Sequence, residues 1–199
     1  MKRRLRALWI ALACIAAGCA GVGVPATSDP WKQYQYGCAL MSVGRVTRAE
    51  PLLAESLAYY EKSDEHMKLA LVQAQYALLI ETPTFVVSRV FAKQRAQMGG
   101  REGLPREARA LNERAKSNLL QVLATPQVPP SERTQALLVL NQVEERLDER
   151  REACATIERA AASYREAEGT RYDYAIYGQP SVAAYLQGRR EVLECEAFR

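Results

Sequence analysis

Histidine is almost missing from this 199-residue sequence, with His66 as the single copy. Any Ser-His-Asp or Cys-His relay would have to be built on that one residue. Its neighbourhood, Ser63-Asp64-Glu65-His66-Met67, reads instead as the acid-rich first turn of a helix, where carboxylates favour the positive end of the dipole. The five cysteines form no C-x-x-C pair and His66 has no second histidine beside it, so a local metal loop is lacking. Gly99-Gly100-Arg101-Glu102-Gly103 has neither the spacing nor the preceding strand of a phosphate loop. We therefore expect no metal, no cofactor and no enzyme activity. No convincing run of alternating apolar and polar residues is present either, which argues against strands.

Charge of one sign is also in short supply. Lys2, Arg3, Arg4 and Arg6 are the only charged side chains among residues 1 to 18. They account for the whole net charge of +4: without them 23 of the 27 basic residues stand against 23 acidic ones. The remaining 181 residues, 199 less 18, thus give no support for nucleic-acid binding or for polybasic attraction to a lipid surface. They suit one domain with a substantial core.

What is present at the start is a basic patch, then the apolar stretch Ala7 to Ala17, 11 residues long and short of the roughly 20 that span a bilayer. Ile15-Ala16-Ala17-Gly18-Cys19 closes it. This order resembles a bacterial lipoprotein signal, with Ala17 and Gly18 as the small residues before the cysteine and Ala16 where Leu is usual. The resemblance implies a signal peptide over 1–18, lipidation at Cys19, and a tether over 19–28. Ala20, rather than Asp, after the cysteine implies sorting to the outer membrane, facing the periplasm. The alternative is an ordinary secretory signal with Cys19 as an incidental thiol. Several acyl chains would anchor firmly, since each buried methylene adds about 0.8 kcal/mol.

Cys14 leaves with the signal, so Cys38, Cys154 and Cys195 remain. Cys154 and Cys195 both fall near the end of the chain and would staple the last helix to its neighbour if bridged; buried free thiols are the other possibility.

Residues 29–199 read as helix after helix. Apolar residues recur at three and four spacing in Leu52, Leu53, Leu57, Tyr60 and again in Leu137, Leu140, Val143, Leu147. Asp29-Pro30 and Thr82-Pro83 look like helix starts, as does Ser131 after Pro129-Pro130; Gly44, Gly99-Gly100 and Gly169 look like stops or turns. The pattern predicts helices near 30–43, 47–61, 65–80, 83–97, 105–124, 131–147, 149–167 and 181–196. Pro51 predicts a bend or a later start in the second. Arg95 to Arg106 reads as a charged, Gly-rich loop between two helical blocks. Glu144, Glu145, Asp148, Glu149 and Glu152, interleaved with Arg146, Arg150 and Arg151, read as a solvated face laced with ion pairs.

Gly37, Leu40, Gly44, Ala49, Leu53 and Ser56 stand at the spacing of the tetratricopeptide motif, and Leu140, Asp148, Ala153, Ile157 and Ala160 occupy corresponding places. The run Gly44, Ala49, Leu53, Ser56 recurs as Asp148, Ala153, Ile157, Ala160. The chain resembles tetratricopeptide-repeat proteins over 31–62 and 132–165, while 65–124 matches only as helical hairpin material. That resemblance implies a short all-α solenoid of about eight helices, with a C-terminal capping helix. It also implies a groove lined by the first helix of each pair: Trp31, Tyr34, Cys38 and Met41, then Gln135, Leu138, Gln142 and Glu145. Core packing is the alternative role for these residues. Tyr172, Tyr174, Tyr177 and Tyr185 suit either a loop over the solenoid end or a protein interface.

The family resemblance implies a lipid-anchored adaptor that holds another cell-envelope protein in the assembly or regulation of a pilus, secretion or cell-wall machine. A carrier of a hydrophobic small molecule or peptide for a transporter is the alternative. An envelope enzyme acting through clustered carboxylates is a third reading, which nothing in the sequence singles out.

Overall fold

The computed structural model describes residues 26–86, 103–167 and 181–195. Every regular element in them is a helix, so the fold is all-α. The helices are α1 (Pro30–Ser42), α2 (Val46–Tyr60), α3 (His66–Glu81), α4 (Gly103–Leu123), α5 (Pro130–Arg146), α6 (Arg150–Ala167) and α7 (Val182–Val192). Residues 83–86 are also helical; the rest of the predicted 83–97 helix lies outside the described residues. So do the predicted signal segment, Cys14 and Cys19, and Tyr172, Tyr174 and Tyr177. No described helix is long and apolar enough to cross a membrane.

Local chemistry explains the first ends. Asp29 Oδ1 accepts from the amides of Trp31 (2.9 Å) and Lys32 (3.2 Å), with Pro30 opening the helix. α1 stops where Gly44 turns left-handed at φ +73°, so that Arg45 N–H reaches back to Leu40 O (2.8 Å) and Gly44 N–H to Met41 O (3.0 Å). The link between α5 and α6 is built the same way. Asp148 takes φ +64°, Glu149 N–H reaches Glu144 O (2.9 Å) and Asp148 N–H reaches Glu145 O (3.0 Å). Two expectations need correction. Pro51 does not delay α2, which begins at Val46; the proline is exposed and forgoes one helical hydrogen bond. The loop expected over Arg95–Arg106 gives way to α4 from Gly103 onward. The start expected at Ser131 is met within one residue, since α5 opens at Pro130 with Pro129 before it.

Consecutive helices pair into antiparallel hairpins. As residue numbers rise along α1 they fall along α2: Gln33 Nε2 donates to Glu55 Oε2 (2.6 Å), and Gly37 lies against Leu53. A Cβ at Gly37 would stand 2.6 Å from Leu53 Cγ, so only glycine allows this approach. In the α3–α4 pair His66 meets Asn118 at one end and Asn112 meets Glu81 at the other. In the α5–α6 pair Thr134 bonds Ser163 (3.0 Å) and Asn141 Nδ2 donates to Ala153 O (2.8 Å).

First helices of successive hairpins run side by side and parallel. Lys68 of α3 lies over Trp31 of α1, and further along Gln75 donates to Met41 Sδ (3.0 Å). From α5, Arg146 Nη1 donates to Ala74 O of α3 (3.0 Å). α7 continues this row. Gln142 donates to Tyr185 Oη (3.0 Å) and Glu145 pairs with Arg189 one turn later, so α7 is parallel to α5; Arg190 pairs with Glu158 (2.7 Å), so it is antiparallel to α6. α7 thus stands where the first helix of a fourth hairpin would stand. Cys154 and Cys195 are joined in a disulfide that closes its far end onto α6; Cys38 is free, and burial pushes its thiol up to about 11.

Three apolar clusters share this frame. Leu40, Leu53, Ile80 and Leu111 fill the first, Leu71, Leu119, Leu140 and Leu147 the middle, and Leu137, Ile157, Tyr164 and Leu186 the last. Each such side chain contributes about 1.5–3 kcal/mol when fully buried. α3 is buried on nearly every side, from Ala70 through Ile80, because helices from both neighbouring hairpins enclose it.

Candidate functional site: a cleft at the mouth of the helix stack

Because α1, α3 and α5 are parallel, their first turns end together. Between them and the last turn of α4 lies a cleft of about 660 Å³. Trp31 enters it from α1, His66, Met67 and Lys68 from α3, Gln121 and Thr125 from the end of α4, and Ser131, Glu132 and Gln135 from α5. Asp64 and Glu65 complete the rim.

Its aromatic wall is built by stacking. The Trp31 and Tyr34 rings lie 4.7 Å apart at 22°, an arrangement contributing about 0.5–1.5 kcal/mol beyond area burial. Lys68 Nζ lies 5.7 Å from the Trp31 ring centre and 5.8 Å from that of Tyr60, and it pairs with Glu65. The hydrogen bond that Lys68 donates to Glu65 holds its ammonium above its ordinary pKa. Rings and carboxylate together make a seat for a cation.

A polar chain runs from His66 and Gln121 in the cleft into the stack. Asn118 Nδ2 donates to Gln73 Oε1 (2.9 Å), which turns Asn118 Oδ1 toward His66 Nδ1 (3.3 Å). The same assignment leaves His66 Nε2 to accept from the Gln121 amide (3.2 Å). The cleft therefore mixes the Trp31 ring and the apolar Met67, Leu71 and Val128 with the amide and hydroxyl groups of Gln121, Gln135 and Ser131. Such a surface suits a ligand that carries both kinds of group.

At the opposite end of the stack is a second cleft of about 620 Å³, where Arg106, Arg109 and Arg146 surround Glu81 and Ile80. Burial raises the Glu81 carboxyl above its ordinary pKa, and Arg146 opposes that rise. Arg109 Nε is engaged with Glu113 (3.1 Å).

The sequence-derived site residues separate into two groups. Trp31 and Gln135 line the mouth cleft. Tyr34 and Met41 are half-buried and help join α1 to α3: Tyr34 packs on the cluster that holds Leu71 and Ala74, and Met41 accepts from Gln75. Leu138 is a correction: at 1% exposed it belongs to the apolar cluster under α7, so it does not line an open groove. Gln142 is covered too, since its amide is committed to Tyr185, and Glu145 is held by Arg189. Glu144 is not on a solvated face but buried between α5 and α6. Tyr185 lies in the core, with its phenol pKa raised by burial. Lys68, Tyr60 and Gln121 were not legible as site residues. Their roles come from packing between helices: Lys68 of α3 reaches Trp31 of α1 and Tyr60 of α2, and Gln121 of α4 reaches His66 of α3.

Among the described residues no group of three or more His, Cys, Asp or Glu side chains is placed to hold a metal ion. Comparison of the chain with family models, with curated proteins and with solved structures finds no match.

Proposed function

We propose that this chain is a lipid-anchored periplasmic adaptor of the tetratricopeptide-repeat type, tethered through Cys19 to the outer membrane and holding another cell-envelope protein at the mouth cleft. The observation that carries the reading is the cleft itself, an aromatic and amide-lined concavity formed by the first turns of three parallel helices. Rings with a polar rim supply much of the binding energy at protein interfaces. Two further features support it. The basic, apolar and small-residue order that ends at Cys19 leaves only a short tether before α1, which would hold the cleft close to the membrane. A disulfide between Cys154 and Cys195 suits an oxidising compartment.

The test pairs anchor and cleft. Cys19→Ala should move the protein from the membrane to the soluble envelope fraction or leave unprocessed precursor; unchanged membrane fractionation would remove the anchor. In crosslinked envelopes, Trp31→Ala should lose a partner that wild type and Tyr59→Ala retain, since Tyr59 is an exposed ring outside the cleft. Retention of the partner by Trp31→Ala would place its docking elsewhere. A small hydrophobic molecule retained by wild type and lost from Trp31→Ala would favour the carrier reading instead.

A further inference from the structure

α5 holds two buried acceptors that nothing donates to. Asn141 is fully enclosed; its Nδ2 is spent on Ala153 O at 2.8 Å, and its Oδ1 has no partner. One turn on, Glu144 is 4% exposed. Thr156 of α6 hydrogen-bonds its carboxyl group, while Oε2 has no partner. Residues three apart on a helix share a face, so both orphan oxygens lie along the α6 side of α5.

The surrounding charges do not supply the missing donor. From α4, Lys116 attracts Glu144, but its Nζ is bonded to Glu149 Oε2 at 2.5 Å. Glu149 in the turn and Glu152 on α6 add like charge. α3 and α7 meet α5 elsewhere, at Arg146 and at Gln142 and Glu145. A bare carboxylate is disfavoured in such a place, because burial removes water and returns no full partner.

We propose that Glu144 is a buried proton-binding site: in the folded stack it is a neutral acid, and its O–H supplies the donor that this pair of acceptors lacks. Burial displaces its pKa in the direction this requires. The folded chain then holds a proton that the unfolded chain releases near the ordinary glutamate value of 4.5. Stability from this site is complete below that value and is lost as pH rises through the folded pKa. Raising the pH therefore loosens the hairpin that carries Gln135 and clamps α7.

Two measurements on the full processed chain test this. Carboxyl carbon NMR of glutamate-labelled wild type, with Glu144 assigned through its own backbone, should show Glu144 titrating well above ordinary glutamates; a midpoint at or below their range would overturn the proposal. Thermal unfolding of Glu144→Gln should have a midpoint at pH 8 about 2–4 °C above wild type, with a flatter decline from pH 5 to pH 8. A lower midpoint at pH 8 with an unchanged decline would also overturn it. Glu81 shifts in the same direction but is untouched by this substitution, so the difference between the two profiles belongs to Glu144.

Discussion

The first and third hairpins reach the same geometry with different residues. Gly44 and Asp148 occupy the same left-handed turn, at φ +73° and +64°. Ala49 and Ala153 then sit at 0% exposure, as do Leu53 and Ile157. At the helix crossing the chemistry diverges. Gly37 lets α2 approach by having no side chain, whereas Asn141 bonds the Ala153 carbonyl across the interface. The third hairpin differs on its outer side as well, where it is covered by α7 and closed by a disulfide. A turn, a small residue and a bulky one at fixed spacing are enough to repeat the unit. The positions between them are free to diverge.

Removing the closure on the third hairpin should have the largest effect. Cys154 and Cys195 are 41 residues apart, and for a loop of that size the chain-entropy relation gives about 4 kcal/mol. Cys154→Ala with Cys195→Ala should lose roughly 2–4 kcal/mol in denaturant unfolding, with early proteolysis near α7 and an intact first hairpin. Loss of the whole domain's protection at once would mean that the two hairpins are not separable in this way.

Gly37→Ala sharpens the contrast at the crossing. Its Cβ would meet Leu53, so thermal unfolding should show a loss of about 1–3 kcal/mol. Gly188→Ala on α7, where a Cβ meets nothing within 4 Å, should instead be neutral or stabilising by up to about 1 kcal/mol. Equal effects would contradict the close approach of α1 and α2.

The turns should respond least, and in opposite directions. Gly44→Ala should cost about 1–2 kcal/mol through its left-handed backbone. Asp148→Gly should gain about 0.5 kcal/mol at most, since relief at that angle is partly offset by a freer unfolded chain. Matching signs in chemical denaturation would break the equivalence of the turns.

Features governed by neighbours along the chain were legible in the sequence. Asp29 before Pro30, Gly44 after α1 and the three- and four-residue spacing all act within a turn or two, and they place most helices within a few residues. Partners across the stack were not. α5 is flanked by α3, α4, α6 and α7, so its contacts surround much of its circumference, and a one-sided helix pattern misplaces Leu138, Gln142 and Glu144. The same blindness applies to the cleft: Trp31 and Gln135 were visible by position in their own hairpins, but Lys68 over Trp31 needs the first two hairpins in register, and Gln121 beside His66 needs α4 folded back along α3. Pro51 misleads in another way, since an exposed proline near a helix start removes one bond without delaying that start.

The adaptor reading is tested most directly by placing a photo-crosslinking side chain at Gln135 in the mouth cleft or at Arg159, exposed on α6, and irradiating intact cells. A discrete adduct with one envelope protein from position 135 and none from position 159 is the expected result. Adducts of equal strength from both positions, or from position 159 alone, would contradict it.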